Sequence, residues 1–393
     1  MAMSIAQGVS GDATERVFAL VEELRPIVKA HRAEADRLRR IPDAVVDAIA
    51  ERDLTRMMLP PEMGGAGIDP VTCLRLVEEV ATMDGSVAWN FSIGAFSQRW
   101  LGWLPEAWGR DFLSTPGSMV AGSLNAAGRA VAVEGGYLVS GHFHFASGVH
   151  QAPWVVGGCR VFDGEAARTT PAGTAVIADA VMPRGAVTTA DDWYVSGMRG
   201  TGSTGFDADA LFVPEGQVVV RGAKPWRTAP FFRFVVVGAP FAAVTLGIAR
   251  CAIDGFLELV ESKALAHAWR TAVKENPANQ YDLAKAQSLV ESGRSYLLEG
   301  IQGLWDAVRD GHDASLDVRA RVRRAQVHAA ESAVTAVDMM YRAAGATALF
   351  ESSPFERCLR DVHAAAAQIN LQRVLMEDAG RVAFGLTPRQ PLF

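Results

Sequence analysis

The sequence predicts a mainly α, multidomain α+β chain: a helical region, a β region, then long helices. Three observations predict it. Up to about residue 115 apolar residues recur at helical spacing between turns rich in Pro and Gly. From about residue 119 to 214 short β-branched runs are broken by Gly and Asp, and beyond Pro230 helical periodicity returns in much longer segments. The expected boundaries are 1–116 for an N-terminal helical domain, 117–216 for a β-barrel domain and 217–393 for a C-terminal four-helix bundle.

In the first region Val17, Leu20, Val21, Leu24, Ile27 and Val28 share one helix face, and Asp12 with Glu15 suits its start. Pro42 opens a second helix carrying Val45, Val46 and Ile49, and Pro70, behind Asp69, opens a third with Leu74, Val77 and Ala81 on one face. Residues 60–67, with two prolines and three glycines, connect them. Pro105 opens a short helix that stops near Thr115, Pro116 and Gly117. In the second region residues 130–133, the turn Glu134-Gly135-Gly136 and residues 137–139 form a hairpin. Residues 154–156, 175–177 and 210–213 are further strands. No segment of helical length and period interrupts them, which predicts a small antiparallel barrel or sandwich. In the third region 231–262 reads as one apolar helix, followed by helices at 279–310, 317–344 and 354–383, a series that predicts a bundle.

Of the 393 residues, 49% are apolar and 21% charged, enough for a large core. With 44 acidic against 38 basic side chains the net charge is −6, so nothing in the charge draws the chain to nucleic acid. The four cysteines are widely spaced and form no CxxC pair, which excludes a disulfide framework or a zinc knuckle. Residues 1–11 have neither the basic nor the apolar part of a secretory signal. The longest uncharged apolar stretch, 234–249, contains Gly238, Pro240 and Gly247 and is too short to span a bilayer. A soluble cytoplasmic protein without membrane partners is expected. GxSxG, HExxH and Walker-type loops are absent.

Residues 200–205 formally match GxGxxG. A dinucleotide fingerprint must open a helix and be followed by an acid some twenty residues on; here residues 206–213 read as a strand, and Arg221 and Lys224 stand where the acid is needed. The segment is therefore read as a loop that exposes its backbone to a flat ligand. His142 and His144 share one strand face and are metal ligands in kind, but spacing places no third ligand, and no metal is assigned. Phe145-Ala146-Ser147-Gly148 is either a plain strand-end turn or a hydroxyl presented beside a ligand. In the segment 356–367 Glu356 with Arg360, and Arg357 with Asp361, are spaced as i,i+4 ion pairs. His363 has no such partner and shares its face with Ala366 and Ala367, so it faces solvent, a neighbouring helix or a cofactor.

The order of the three regions, with Leu59-Pro60-Pro61-Glu62-Met63-Gly64-Gly65-Ala66-Gly67, Met198-Arg199-Gly200-Thr201-Gly202-Ser203 and Val213-Pro214, resembles the acyl-CoA dehydrogenase fold. Dehydrogenases of that superfamily carry a C-terminal Glu as base, and the corresponding position here is Ile369. Their flavin-pyrophosphate segment is also missing around residues 267–270. Ser147-Gly148, residues 193–203 and Arg360-Asp361-Val362-His363-Ala364 are instead similar to the oxygenase components of two-component flavin monooxygenases. That resemblance implies an enzyme that takes reduced FMN or FAD, FMN slightly preferred, from a separate NAD(P)H-dependent flavin reductase. With O2 as co-substrate it oxygenates an aromatic or heteroaromatic small molecule through a C4a-(hydro)peroxyflavin, as a homotetramer. It assigns His363 to the neighbourhood of flavin C4a and Ser147 to N5, and it implies that Arg199, Gly200, Thr201, Gly202, Ser203 and Arg360 help hold the cofactor. Trp89, Phe91, Phe96, Phe231 and Phe232 are the expected aromatic wall of a substrate pocket between helical cap and bundle. Two other readings stand beside this one: an acyl-CoA dehydrogenase-like flavoenzyme using Glu377 or Asp378 as base, and a non-catalytic flavin-binding protein.

Overall fold

A computed structural model describes residues 11–262 and 273–389. The chain divides into two compact units, one of residues 1–68, 90–194 and 199–233, the other of residues 69–89, 195–198 and 234–393. Among the described residues no helix is long and apolar enough to cross a membrane.

In the first unit the face expected at residues 17–28 is shared by α1 (Gly11–Glu22) and α2 (Leu24–Leu38), and Val17, Val21, Leu24 and Val28 are buried along it. Pro42 stands in extended conformation ahead of α3 (Asp43–Glu51), its fixed φ ending one segment and starting the next. The strands are β1 (Val120–Val133), β2 (Gly136–Phe143), β3 (Trp154–Asp163), β4 (Ala166–Ala167), β5 (Ile177–Pro183), β6 (Thr188–Thr189), β7 (Phe206–Pro214) and β8 (Val218–Val220). They form one sheet in the order β6-β7-β2-β1-β3-β5-β8, with β4 paired to β3. The hairpin lies where the turn residues put it, Val133 opposite Gly136.

The expectation of a wholly antiparallel arrangement is corrected: β1 and β3 run parallel, Val120 opposite Trp154. β2 returns to the end of the sheet where β1 begins, and residues 144–153 pass over that end, so β3 starts in the direction of β1. Tyr137, Val139 and Phe143 of β2, Val155, Cys159 and Val161 of β3, and Phe206, Ala208 and Val213 of β7 face one apolar core, the alternation in β7 shifting by one residue at the irregularity around Ala210.

In the second unit α4 (Pro70–Met83) is capped by Asp69, whose carboxylate accepts from Thr72 N at 2.9 Å and Thr72 Oγ1 at 2.8 Å. Asp84 does the same for α5 (Gly85–Ser97), accepting from Ser86 N and Val87 N. α5 is buried on nearly every side, so its sequence shows no helical period, and the boundary between the units falls within it. α6 (Glu106–Ser114) and α7 (Pro230–Arg233) belong to the first unit. The long helices of the second are α8 (Ala239–Ser262), α9 (Pro277–Arg309), α10 (Leu316–Ala344), α11 (Pro354–Ala366) and α12 (Arg373–Ala383), with α10 packed on all four others.

Two helices read as continuous are broken. The segment 231–262 is interrupted between α7 and α8, where Gly238 has φ +102°, outside any helix, and a Cβ there would lie 2.6 Å from Gln326 Nε2. The segment 354–383 breaks after Ala366: the Gln368 side chain accepts from Asn370 N and Gln372 Nε2 donates to Ala366 O, so side chains take backbone groups that a continuing helix needs. Gly303 marks the opposite situation, exposed in the middle of α9 with no atom of the described residues within 4 Å of a Cβ built on it. Gly303→Ala is expected to raise stability by about 0.5–1 kcal/mol, read as a higher urea midpoint; an unchanged or lower midpoint would contradict this.

Candidate active site

In the first unit, the turn that ends β2 is laced to the glycine-rich loop. Ala146 N donates to Thr204 O at 3.2 Å and Gly148 N to Thr201 O at 3.1 Å. The bonds hold three buried hydroxyls in a row: Ser147 Oγ is 2.5 Å from Ser203 Oγ, which is 2.7 Å from Thr201 Oγ1. Residues 199–201 form a single 3-10 turn, and the chain then enters β7, so the GxGxxG match opens a strand as expected. Gly202 has φ +56°, and a Cβ there would lie 2.8 Å from His150 Cδ2; this is the close backbone approach that only glycine allows.

Asn90 of α5, missed in the sequence because no local pattern marks it, donates from Nδ2 to Thr201 O at 3.1 Å. Among the described residues its Oδ1 and the Nε of Arg199 are buried without a hydrogen-bond partner. Such orphaned atoms are costly unless a ligand satisfies them. One acceptor, one cationic donor and a row of hydroxyls beside open backbone suit the polar edge of a flat heteroaromatic ring, and the donor set fits a flavin. Phe145, at φ +62° and 64% exposed, meets Trp193 edge to face at 6.3 Å, while Trp193 Nε1 donates to Arg199 O. Burial, and then the charges of Arg40, Arg184 and Arg39, hold the neighbouring His150 below the ordinary histidine range.

In the second unit α11 carries the segment that the sequence singled out. Glu356 and Arg360 form the expected pair at 2.6 Å, and Arg360 Nη1 also donates to Ser196 O at 3.0 Å. Arg357 reaches Asp84 at 3.1 Å. Asp361, 3% exposed, accepts from Met198 N at 2.6 Å and so holds Met198 at φ +54°, an uncommon backbone conformation for that residue type. Arg360 and Asp361 thus clamp the four residues that lead into the glycine-rich loop.

His363 has a partner after all, Asp338 on α10, 3.0 Å from Nε2, and its own side chain is 52% exposed. The pair spans two helices, which i,i+4 reasoning cannot see. Ile369, where the dehydrogenase base would fall, is 60% exposed in a 3-10 turn. Asp378 is 1% exposed and accepts from Arg389 N, and Glu377 lies on Arg373 at the surface. Neither carboxylate presents itself as a base. Residues 267–270 lie outside the described residues.

The residues expected to form an aromatic wall belong to both units. Trp89 stacks on Phe241 at 4.0 Å in the second unit, a partner not foreseen. Phe231 and Phe232 meet edge to face at 5.2 Å in the first. Phe91 is fully buried and Phe96 half-buried; among the described residues no ring contact joins either to those pairs.

An acyl-CoA dehydrogenase N-terminal domain model matches residues 15–100 and an acyl-CoA dehydrogenase C-terminal domain model matches residues 239–373, between them more than half of the chain. The chain belongs to the acyl-CoA dehydrogenase superfamily. It is 29% identical over 383 residues to an indole-3-acetate monooxygenase of Pseudomonas putida, covering 96% of this chain and 95% of that one. It is 28% identical over 370 residues to the flavin-dependent monooxygenase oxygenase subunit HsaA of Mycobacterium tuberculosis, covering 89% and 90%. The structure of XiaF from Streptomyces sp., in complex with FADH2 and glycerol, superposes with a TM-score of 0.87 at 25% identity, over 97% of this chain and 98% of that one. Within the superfamily the protein groups with the oxygenase components of flavin-dependent monooxygenases, and it is an oxidoreductase.

Proposed function

We propose that the protein is the oxygenase component of a two-component flavin monooxygenase. It receives reduced FMN or FAD from a separate NAD(P)H-dependent reductase, works as a homotetramer, and oxygenates an aromatic or heteroaromatic small molecule. The observation that carries this reading is the buried hydroxyl row Thr201–Ser203–Ser147 beside the orphaned Asn90 Oδ1 and Arg199 Nε. The names of the relatives support an aromatic substrate, and the FADH2 held by XiaF supports FAD beside FMN.

Bound reduced flavin supplies the two electrons that activate O2, so that one oxygen atom goes to an electron-rich substrate and the other leaves as water. The chain's own residues do the rest. Ser147 Oγ, held in place by Ser203, would meet flavin N5 and control the proton there. Asn90 Oδ1 would accept from, and Arg199 Nε would donate to, the polar edge of the ring. His363, with Nε2–H donated to Asp338, keeps Nδ1 as the basic nitrogen, and this tautomer is assigned from the hydrogen bond. In this reading Nδ1 would take up a proton, and the imidazolium so formed, balanced by Asp338, would donate it toward negative charge on the reacting oxygen.

The test mixes the protein and anaerobically reduced flavin rapidly with oxygenated buffer and follows absorbance. A long-lived spectrum distinct from both reduced and oxidised flavin is expected; immediate reoxidation at the rate of free flavin overturns the reading. In His363→Ala the reaction with O2 is expected to slow ~10-fold, the worth of one charge-assisted hydrogen bond. An unchanged rate would remove His363 from the chemistry.

A further inference from the structure

We propose that His142, His144 and Asp192 form a divalent-cation site, separate from the hydroxyl row and suited to Zn2+ or a similar borderline first-row metal. The three side chains offer ligand atoms that all lie within 4.8 Å of one another. Strand alternation puts the two histidines on one face at the end of β2, and Asp192 comes from the loop between β6 and β7. Sequence spacing had no means of supplying that third ligand.

The geometry around each ligand favours a metal over a chance cluster. His142 Nδ1 is 2.8 Å from Asp207 Oδ1, its cross-strand partner on β7. That bond fixes the proton on Nδ1 and leaves the Nε2 lone pair facing His144, the carboxylate–histidine arrangement that orients metal-bound imidazoles. His142 Nε2 and His144 Nδ1 are 3.1 Å apart. Two nitrogens each about 2.0–2.1 Å from one tetrahedral Zn2+ sit about 3.3 Å apart, so the pair accepts a cation with a shift of a few tenths of an ångström.

Asp192 is held just as firmly. Its Oδ1 accepts from Thr204 Oγ1 at 2.5 Å and from Gly205 N at 3.0 Å. A Cβ on Gly205 would lie 2.9 Å from His142 Nε2 and 3.1 Å from Asp192 Oδ2, so glycine keeps clear the space that both atoms border. His144 and Asp192 are exposed and His142 half-buried, which gives a cation an entry path and leaves room for water as the fourth ligand. Lacking a cation, the two imidazoles make an ordinary N–H···N bond; the experiment separates the two cases.

A cation here would cross-link the end of β2, the loop that continues into Trp193 and, through Thr204, the residues next to Ser203. The full chain, washed with chelator and free of flavin, is dialysed against buffered Zn2+ and its bound metal measured. One equivalent per chain is expected, with a higher urea midpoint in Zn2+. Affinity should fall at least ~10-fold in His144→Ala and in Asp192→Asn. His144 is an exposed side chain, so its truncation leaves the fold intact and decides the question even where Asp192→Asn unfolds. No uptake by the wild type overturns the proposal, and so does uptake that His144→Ala leaves unchanged, because the metal then sits on other histidines.

Discussion

Gly197→Ala is expected to lower the stability of the protein by about 3 kcal/mol, at the upper end of what overpacking costs. A Cβ on Gly197 would stand 2.0 Å from the carbonyl oxygen of Arg360, 2.4 Å from its carbon and 3.0 Å from the Ala364 Cβ. The first two are backbone atoms inside α11, so no side-chain rotation relieves the clash. Either α11 or residues 195–198 must move, and both have other commitments. Arg360 Nη1 donates to Ser196 O, and Asp361 accepts from Met198 N at 2.6 Å from a nearly buried position. Movement that spares the alanine therefore weakens two charge-assisted hydrogen bonds, one from the Arg360 guanidinium and one to the Asp361 carboxylate. The urea midpoint measures the loss, and the Gly303→Ala variant is its control. Equal midpoints for the two variants would mean that the 195–198 segment is free to withdraw from α11. Because Met198 runs directly into Arg199 and the glycine-rich loop, Gly197→Ala should also weaken flavin retention, measured by ultrafiltration of the anaerobic reduced flavin.

What the sequence disclosed divides according to how far apart the interacting residues are along the chain. The β1–β2 hairpin, the helix start at Pro70 and the Glu356–Arg360 pair are settled by residues within a few positions of one another, and all were legible. So was the failure of GxGxxG as a dinucleotide fingerprint, since the strand that follows it is local. The parallel pairing of β1 with β3 depends on where residues 144–153 cross the sheet, which no periodicity encodes. The two helix breaks hang on distant partners or on competing side-chain bonds: Gly238 is pressed against Gln326 and Asn370, and Gln368 and Gln372 divert backbone groups of the turn after Ala366.

The candidate site shows the same division. Ser147 and the loop 199–203 were singled out as motifs, and the structure joins them through Ser203. Asn90, Asp338 and Asp192 were not, and Asp361, named in a motif, was not foreseen as the partner of Met198. Asn90 lies on a helix buried all round, where one polar residue carries no positional signal. The three aspartates act on residues tens of positions away or more, or in the case of Asp192 on strands paired only by the fold. The resemblance to flavin monooxygenases reached the branch through short motifs, because those motifs are themselves the segments that α11 and the glycine-rich loop hold in place.

Replacing Ser147 by alanine is expected to speed release of hydrogen peroxide from the protein, reduced flavin and O2 by roughly 100-fold, the scale seen when a positioned donor is removed from a reacting centre. The hydroxyl row explains why the effect should be large and why Ser203→Ala should be smaller. On the proposed reading Ser147 is the hydroxyl that would meet flavin N5, and its 2.5 Å contact with Ser203, itself 2.7 Å from Thr201 Oγ1, sets its orientation. Ser147→Ala would remove that group. Ser203→Ala keeps that group but unties it from Thr201, which should cost one neutral hydrogen bond's worth of orientation, about 10-fold in peroxide release. Peroxide formed after mixing with oxygenated buffer, in the absence of any aromatic substrate, measures both. A Ser147→Ala rate equal to wild type would take the hydroxyl row out of the chemistry. A Ser203→Ala rate equal to that of Ser147→Ala would mean that the tether to Thr201 matters as much as the hydroxyl it holds.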